Sequence, residues 1–219
     1  MAVQIISIEG NIGTGKSTLL SELRLRYAND ATVCFLDEPV HVWNTIKDDK
    51  GVTILEKYYA DQNRYAFSFQ MMAYISRLSA MRAALKKNYK IIITERSIYT
   101  DSAVFAKMLF DDGKIEDIEY KIYNTWLHEF IEDFPPVKFI YLQAEPTISF
   151  QRVALRGRPG EVIPLEYLQN CHDYHEEWLF KKNTEPLLVL DANINMKENS
   201  AIMTPWLRDI DAFMTDTSP

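Results

Sequence analysis

The sequence predicts a doubly wound α/β fold built on a buried parallel sheet. Three observations predict it. Short runs of Val, Ile, Leu, Phe and Tyr recur without clean polar alternation, as strands covered on both faces require. Longer segments with helical spacing separate them, and strands alternating with helices favour a parallel sheet. A glycine-rich turn follows the first apolar run directly and leads into another helical pattern.

The apolar runs are Val3–Ile8, Thr32–Leu36, Lys90–Thr94, Lys138–Leu142 and Leu187–Leu190. The principal helical segments are Asp61–Lys87, Ser102–Phe110, Glu116–Phe134 and Pro164–Lys182. Pro135 and Pro136 end the third of these before the fourth strand. Pro164 suits the first turn of the last, where no backbone N–H is needed. No internal repeat, low-complexity tract or long linker divides the chain, so a single domain over residues 1–219 is expected.

Composition excludes some classes. With 47% hydrophobic and 25% charged residues, the chain can bury a substantial core and is not a disordered segment. A net charge of −7 argues against nucleic acid as the main partner, since backbone phosphates call for a broad basic face. It leaves room for a small anion wherever cations gather locally. Two cysteines, Cys34 and Cys171, are too few for a disulfide framework. Cys34 lies in the apolar run ATVCFL and is expected as a buried thiol in a reducing compartment. Neither a targeting leader nor an apolar stretch of membrane-spanning length is visible, so the expected location is cytoplasmic with no membrane partner.

The glycine turn carries the first chemistry. Gly10, Asn11, Ile12, Gly13, Thr14, Gly15, Lys16 and Ser17, followed by Thr18, satisfy G-x-x-x-x-G-K-[ST] between a strand and a helix. Glycines let backbone N–H groups approach phosphate oxygens, and the following helix presents its positive end to them. Lys16 neutralises the outer phosphates and the Ser17 hydroxyl suits Mg²⁺. This predicts nucleoside triphosphate binding and leaves the reaction open.

Other residues converge on the same sheet edge. Glu95 ends the third strand, where ligands of open α/β sheets gather and where a second acid orients Mg²⁺. Arg96 beside it can reach a transferring phosphate; alternatively the two form a surface ion pair. Arg152 and Arg156, four apart, with Arg158 in the following Gly/Pro loop, suit a lid over polyphosphate, or equally a solvated basic helix end. Glu38 precedes Pro39, which holds it extended at the tip of the second strand, placed to accept a proton from an acceptor hydroxyl. Trp43 can wall a flat ligand. On the long helix, Phe69, Gln70, Ala73, Tyr74 and Arg77 share one stripe. A Gln amide there offers the donor and acceptor needed to read a nucleobase edge, or is simply a hydrogen-bonded core residue.

In this order GNIGTGKST, DEPVxxW, FSFQ…SR, ERSxYxD, LRGR and IPLEYL resemble the deoxynucleoside kinases of the deoxycytidine/deoxyguanosine kinase type, over about residues 3–191. The resemblance implies a P-loop kinase-type, doubly wound, parallel five-stranded sheet flanked by helices, with the phosphate loop at 10–18 and an Arg-rich lid at about 152–163. It implies Glu38 as general base for a sugar 5′-hydroxyl and Gln70 reading the base, with Arg77 and Asp101 beside it. It implies Trp43 and Phe105 lining the base pocket, Phe69 stacking on the base, and Tyr59 with Glu166 on the 3′-hydroxyl. Arg96, Arg152, Arg156 and Arg158 would clamp phosphates, and Ser17 with Glu95 would organise Mg²⁺. The substrates implied are a deoxynucleoside and ATP or another triphosphate. Retention of Arg77 and Asp101 favours deoxycytidine and deoxypurines over thymidine. Where some relatives carry a donor-contacting Asp–Phe pair, this chain has Asn195 and Met196, which leaves ATP against UTP or GTP open.

Two alternatives compete. A thymidylate-kinase-like monophosphate kinase would usually show Asp-Arg-Tyr where this chain has Glu95, Arg96 and Ser97. A catalytically idle nucleotide-binding subunit would tend to lose Lys16, Glu38 or Arg96, and all three are present. His172 and His175 read as a surface helix face, not a metal site. The apolar content of Glu116–Phe134, with the family habit, suggests a homodimer.

Overall fold

The computed structural model describes residues 3–132, 134–158, 161–194 and 200–216. The chain alternates strands and helices. It runs β1 (Gln4–Glu9), α1 (Lys16–Arg26), β2 (Val33–Leu36), α2 (Val40–Trp43), α3 (Ile54–Ala60), α4 (Gln62–Leu85), β3 (Ile91–Glu95) and α5 (Ile98–Thr100). A π-helical turn over Asp101–Ala106 then leads into α6 (Lys107–Asp111), α7 (Asp117–Ile131), β4 (Val137–Gln143), α8 (Pro146–Arg156) and α9 (Leu165–Glu177). A second π-helical turn, Trp178–Lys182, precedes β5 (Leu187–Asp191) and α10 (Met203–Thr215).

The five strands form one parallel sheet in the order β2-β3-β1-β4-β5. The chain goes to one side of β1 for β2 and β3, then to the other for β4 and β5. The crevice therefore opens beyond the carboxyl end of β1, where the glycine turn lies.

Strand alternation divides the core. Ile6 and Ile8 face Leu19, Leu20 and Leu23 of α1 and Trp206 and Ile210 of α10. Ile5, Ile92, Phe139 and Tyr141 face Val104, Met108, Trp178 and Leu179 on the opposite side. Each such aliphatic side chain contributes about 1.5–3 kcal/mol by leaving water, and burial on both faces explains why no polar alternation was visible.

The structure departs from the sequence expectations where a local signal was weak or overridden. The segment expected as a helix over 102–110 begins as the π turn, which shifts Asp101 and Phe105 relative to an ordinary helix; such turns favour functional sites. The segment over 164–182 likewise ends in a π turn. Four helices are not marked by the sequence pattern: α2, α5, α10, and α3, which is closed by a reciprocal Thr53–Glu56 capping box. Cys34 is only half-buried, because β2 is an edge strand. His175 is not on a surface face. It is fully buried, its Nδ1 lies 2.6 Å from the Cys171 carbonyl, and burial holds its pKa down at about 3.

Candidate active site

The glycine turn wraps the start of α1. Gly10, Gly13 and Gly15 all have positive φ, and a Cβ on Gly13 would sit 2.7 Å from the Ser149 carbonyl. The loop is therefore built from residues without side chains by necessity. Asn11 braces it from behind. Its amide donates to the Leu168 carbonyl at 2.8 Å, and its carbonyl accepts from Lys16 Nζ at 2.6 Å and Thr14 Oγ1 at 3.1 Å. No acidic residue occupies the first turn of α1, so its positive end is uncompensated.

A cavity of about 600 Å³ extends from this loop, within the range of small-molecule sites. Among the described residues its lining includes six cations (Lys16, Arg77, Arg96, Arg152, Arg156 and Arg158) and four acids (Glu38, Glu95, Asp101 and Glu161). An acidic chain thus concentrates positive charge at one place. Burial, and then the charge of Arg96, lower the Lys16 pKa to about 7. Burial also opposes ionisation of Glu38, but the guanidiniums of Arg96 and Arg77 outweigh it and hold that carboxyl at about 2.

Glu38 is brought to the centre of the cavity by the end of β2. Arg96 Nη1 donates to its Oε1 at 2.7 Å and Arg77 Nη2 approaches the same oxygen at 3.4 Å. Arg96 is the one non-glycine residue with positive φ (62°) among the described residues, a conformation avoided unless its surroundings enforce it. Its guanidinium also donates to the Gly10 carbonyl at 3.3 Å and lies 5.0 Å from the Phe105 ring centroid, while its buried Nε has no protein partner. The Glu38–Arg96 contact links the second strand tip to the phosphate loop.

At the closed end of the cavity, Arg77 Nε donates to Asp101 Oδ2 at 2.9 Å, and Arg77 Nη1 to the Glu95 carbonyl at 2.6 Å. Gln70 lies beside this pair. It is 2% exposed, lines the cavity, and its amide makes no hydrogen bond to the described protein. Trp43, tethered through Nε1 to Ser76 Oγ at 2.9 Å, meets Phe69 edge-on at 5.2 Å. Phe69 in turn stacks on Tyr58 at 4.5 Å.

A deoxynucleoside kinase family profile matches residues 6–213. The chain is 35% identical to a probable deoxycytidine kinase of fowlpox virus (strain NVSL), over 96% of this chain and 88% of that protein. It is 33% identical to the deoxycytidine kinase of Homo sapiens, over 90% and 86%. It is 32% identical to the mitochondrial deoxyguanosine kinase of Xenopus laevis, over 92% and 86%. The chain belongs to the deoxynucleoside kinase family.

Most residues singled out in this kinase's sequence meet in that one cavity. Ile12, Gly13, Gly15, Lys16, Ser17, Thr18, Glu38, Trp43, Tyr59, Phe69, Gln70, Arg77, Glu95, Arg96, Asp101, Phe105, Arg152, Arg156 and Arg158 all line it. Gly10, Asn11 and Thr14 lie behind the loop and shape it. Arg152 is directed to the loop after β5, donating to the Ala192 carbonyl at 2.7 Å and the Asn193 carbonyl at 3.1 Å. Asn195 and Met196, and the lid residues 159–160, lie outside the described residues.

One placement differs. Glu166 does not reach the cavity. It sits exposed in the first turn of α9, whose helical period turns Leu168, Cys171 and His175 inward and position 166 outward. Glu161, passed over in the sequence, lines the cavity instead and holds Arg156 Nη2 at 2.7 Å. Tyr58 and Tyr167, whose hydroxyls lie 2.9 Å apart, were also missed. The acid inside the arginine-rich lid was the available signal for Glu161; Tyr58 lay in a helix with no periodic mark.

Ser17 Oγ donates to Glu95 Oε1 at 2.9 Å at the mouth of the loop. A hydroxyl and a carboxylate in contact beside a phosphate cradle fit Mg²⁺, which takes few protein oxygens and fills its shell with phosphate and water. Among the described residues no cluster of His, Cys, Asp or Glu forms a separate metal cage, and no helix is long and apolar enough to cross a membrane.

Proposed function

We propose that this kinase transfers the γ-phosphoryl group of ATP or another nucleoside triphosphate to the 5′-hydroxyl of a deoxynucleoside. One observation carries the reading: a carboxylate kept ionised by two arginines, Glu38, faces the same cavity as Lys16 and the phosphate loop. Glu38 orients the acceptor hydroxyl and takes its proton as the new P–O bond forms. Such a weak base favours catalysis chiefly by positioning and charge stabilisation. Lys16 and Arg96 face the charge on the moving phosphoryl group, while Arg156 and Arg158 approach it from the lid side. Ser17 and Glu95 would hold Mg²⁺, which would supply positive charge against the donor phosphates.

The other end of the cavity suits the nucleoside. Gln70, a buried residue lining the cavity, reads the base edge; Phe69, Trp43 and Phe105 enclose its faces. Tyr59 and Glu161, in place of Glu166, address the 3′-hydroxyl. The buried Arg77–Asp101 pair fills the space next to the base, which favours deoxycytidine and deoxypurines over thymidine. The whole chain serves as one domain, since helices packed on a single sheet bring their residues into one cavity with those at the strand ends. It acts as a homodimer: Ile118, Ile122 and Trp126 of α7 are exposed at four-residue intervals beside exposed Ile75 of α4, an apolar strip that a second copy can cover.

The decisive experiment is Glu38→Gln with labelled ATP, Mg²⁺ and each deoxynucleoside. Loss of about 10²–10⁴-fold in kcat is expected. Undiminished transfer, or product only from monophosphates, would overturn the reading. Thymidine showing the highest kcat/KM would overturn the base preference alone.

A further inference from the structure

Glu9 ends β1, one residue before the phosphate loop, and is fully buried. Among the described residues no cation lies within ion-pairing distance of it. Its two oxygens accept from three hydroxyls: Ser7 Oγ at 2.6 Å and Ser97 Oγ at 2.7 Å on Oε1, and Thr100 Oγ1 on Oε2. A fully buried carboxyl group with hydroxyl partners and no ion pair is costly and needs a reason.

The donors suggest one. Ser97 directly follows Arg96, whose backbone occupies the left-handed region, and Thr100 lies three residues further on. The same turn is tied to β1 by the Arg96 N–H donating to the Ile8 carbonyl at 3.0 Å. It is tied to β3 by Thr94 Oγ1 donating to the Arg96 carbonyl at 3.0 Å. Residues persist in such a conformation only where the surroundings over-determine it. Those two bonds hold the Arg96 backbone itself, and the Glu9 contacts hold the residues that follow it.

We propose that Glu9 is a positioning residue for phosphoryl transfer: it clamps Ser97 and Thr100 to the end of β1 and so holds the Arg96 guanidinium on Glu38. The inference rests on the role of Arg96 given above. Glu9 itself touches neither substrate, and acts through the turn.

The test is a double-mutant cycle with steady-state kinetics. Glu9→Met is expected to lower kcat about tenfold or more while the nucleoside KM moves less than about threefold, since a small misplacement of a positioned group costs that much. Glu9→Gln can still accept from both serines and donate to Thr100, and should keep kcat within about threefold. In an Arg96→Ala background the further effect of Glu9→Met should vanish. The proposal is overturned if Glu9→Met leaves kcat intact, or if its loss multiplies undiminished with that of Arg96→Ala. Should Glu9→Met not fold, the serines decide. Ser97→Ala should lower kcat in an Arg96-dependent way, whereas Ser7→Ala, which removes an equal bond to the same carboxylate but no tie to the turn, should not. Equal effects would overturn the proposal. An Arg96→Ala enzyme with full kcat would instead refute the role of Arg96, a result distinct from any failure at Glu9.

Discussion

Binding of a nucleoside triphosphate should draw a proton onto this kinase at mildly alkaline pH. In the free protein Lys16 is buried, its Nζ donates to the Asn11 carbonyl at 2.6 Å, and burial together with Arg96 lowers its pKa to about 7. Roughly one molecule in eleven then carries the Lys16 proton at pH 8. Phosphate oxygens seated in the loop favour the charged ammonium and raise its pKa again. Binding at pH 8 should therefore take up about 0.9 proton, while the phosphates, whose last ionisation lies near pH 6, contribute almost none. The sign follows directly: affinity is full below about pH 6, is halved near pH 7 and weakens further above it. The Kd should rise about fivefold from pH 7 to 8 and about ninefold from pH 8 to 9. Calorimetric titration with a non-hydrolysable triphosphate and Mg²⁺, in buffers of different ionisation enthalpy, reads the proton count as a slope. A slope below about 0.3 at pH 8 with a flat Kd from pH 7 to 9 would refute the reasoning.

Three other outcomes follow from the same geometry. Because Glu38 is held at about 2 by its arginines, it stays ionised at every working pH, and kcat/KM should show no acid limb from it above about pH 4; a limb near pH 5 that disappears in Glu38→Gln would contradict this. Arg77→Met strands Asp101 in a buried site and should cost about 3–5 kcal/mol in urea unfolding, with a loss under about 1 kcal/mol counting against a buried, paired Arg77. Glu161→Ala should lower kcat/KM for a deoxynucleoside about 10–100-fold, as loss of a charged hydrogen bond does. Glu166→Ala should stay within about twofold, since that side chain is exposed; the reverse ranking, measured by steady-state kinetics, would restore Glu166.

The sequence by itself determined the sheet, the phosphate loop and the family. Those features are written in local chemistry: unbroken apolar runs make buried strands, and glycines beside Lys16 and Ser17 make an anion cradle wherever they fall between strand and helix. Motif order singled out the carboxylate, arginines and glutamine, which lie far apart along the chain and line one cavity in the fold. Tertiary structure alone decided how those groups face one another. The pairing of Glu38 with Arg96 comes from β2 and β3 lying side by side, a contact spanning 58 residues, and the packing of α4 brings Arg77 to the same carboxylate. The rotation of α9 turned Glu166 outward, and the lid return brought Glu161 in. A π-helical turn placed Asp101 and Phe105, and β1 supplied the clamp on Arg96. Helix rotation and strand neighbours depend on packing between distant segments, and no local pattern of residues encodes them.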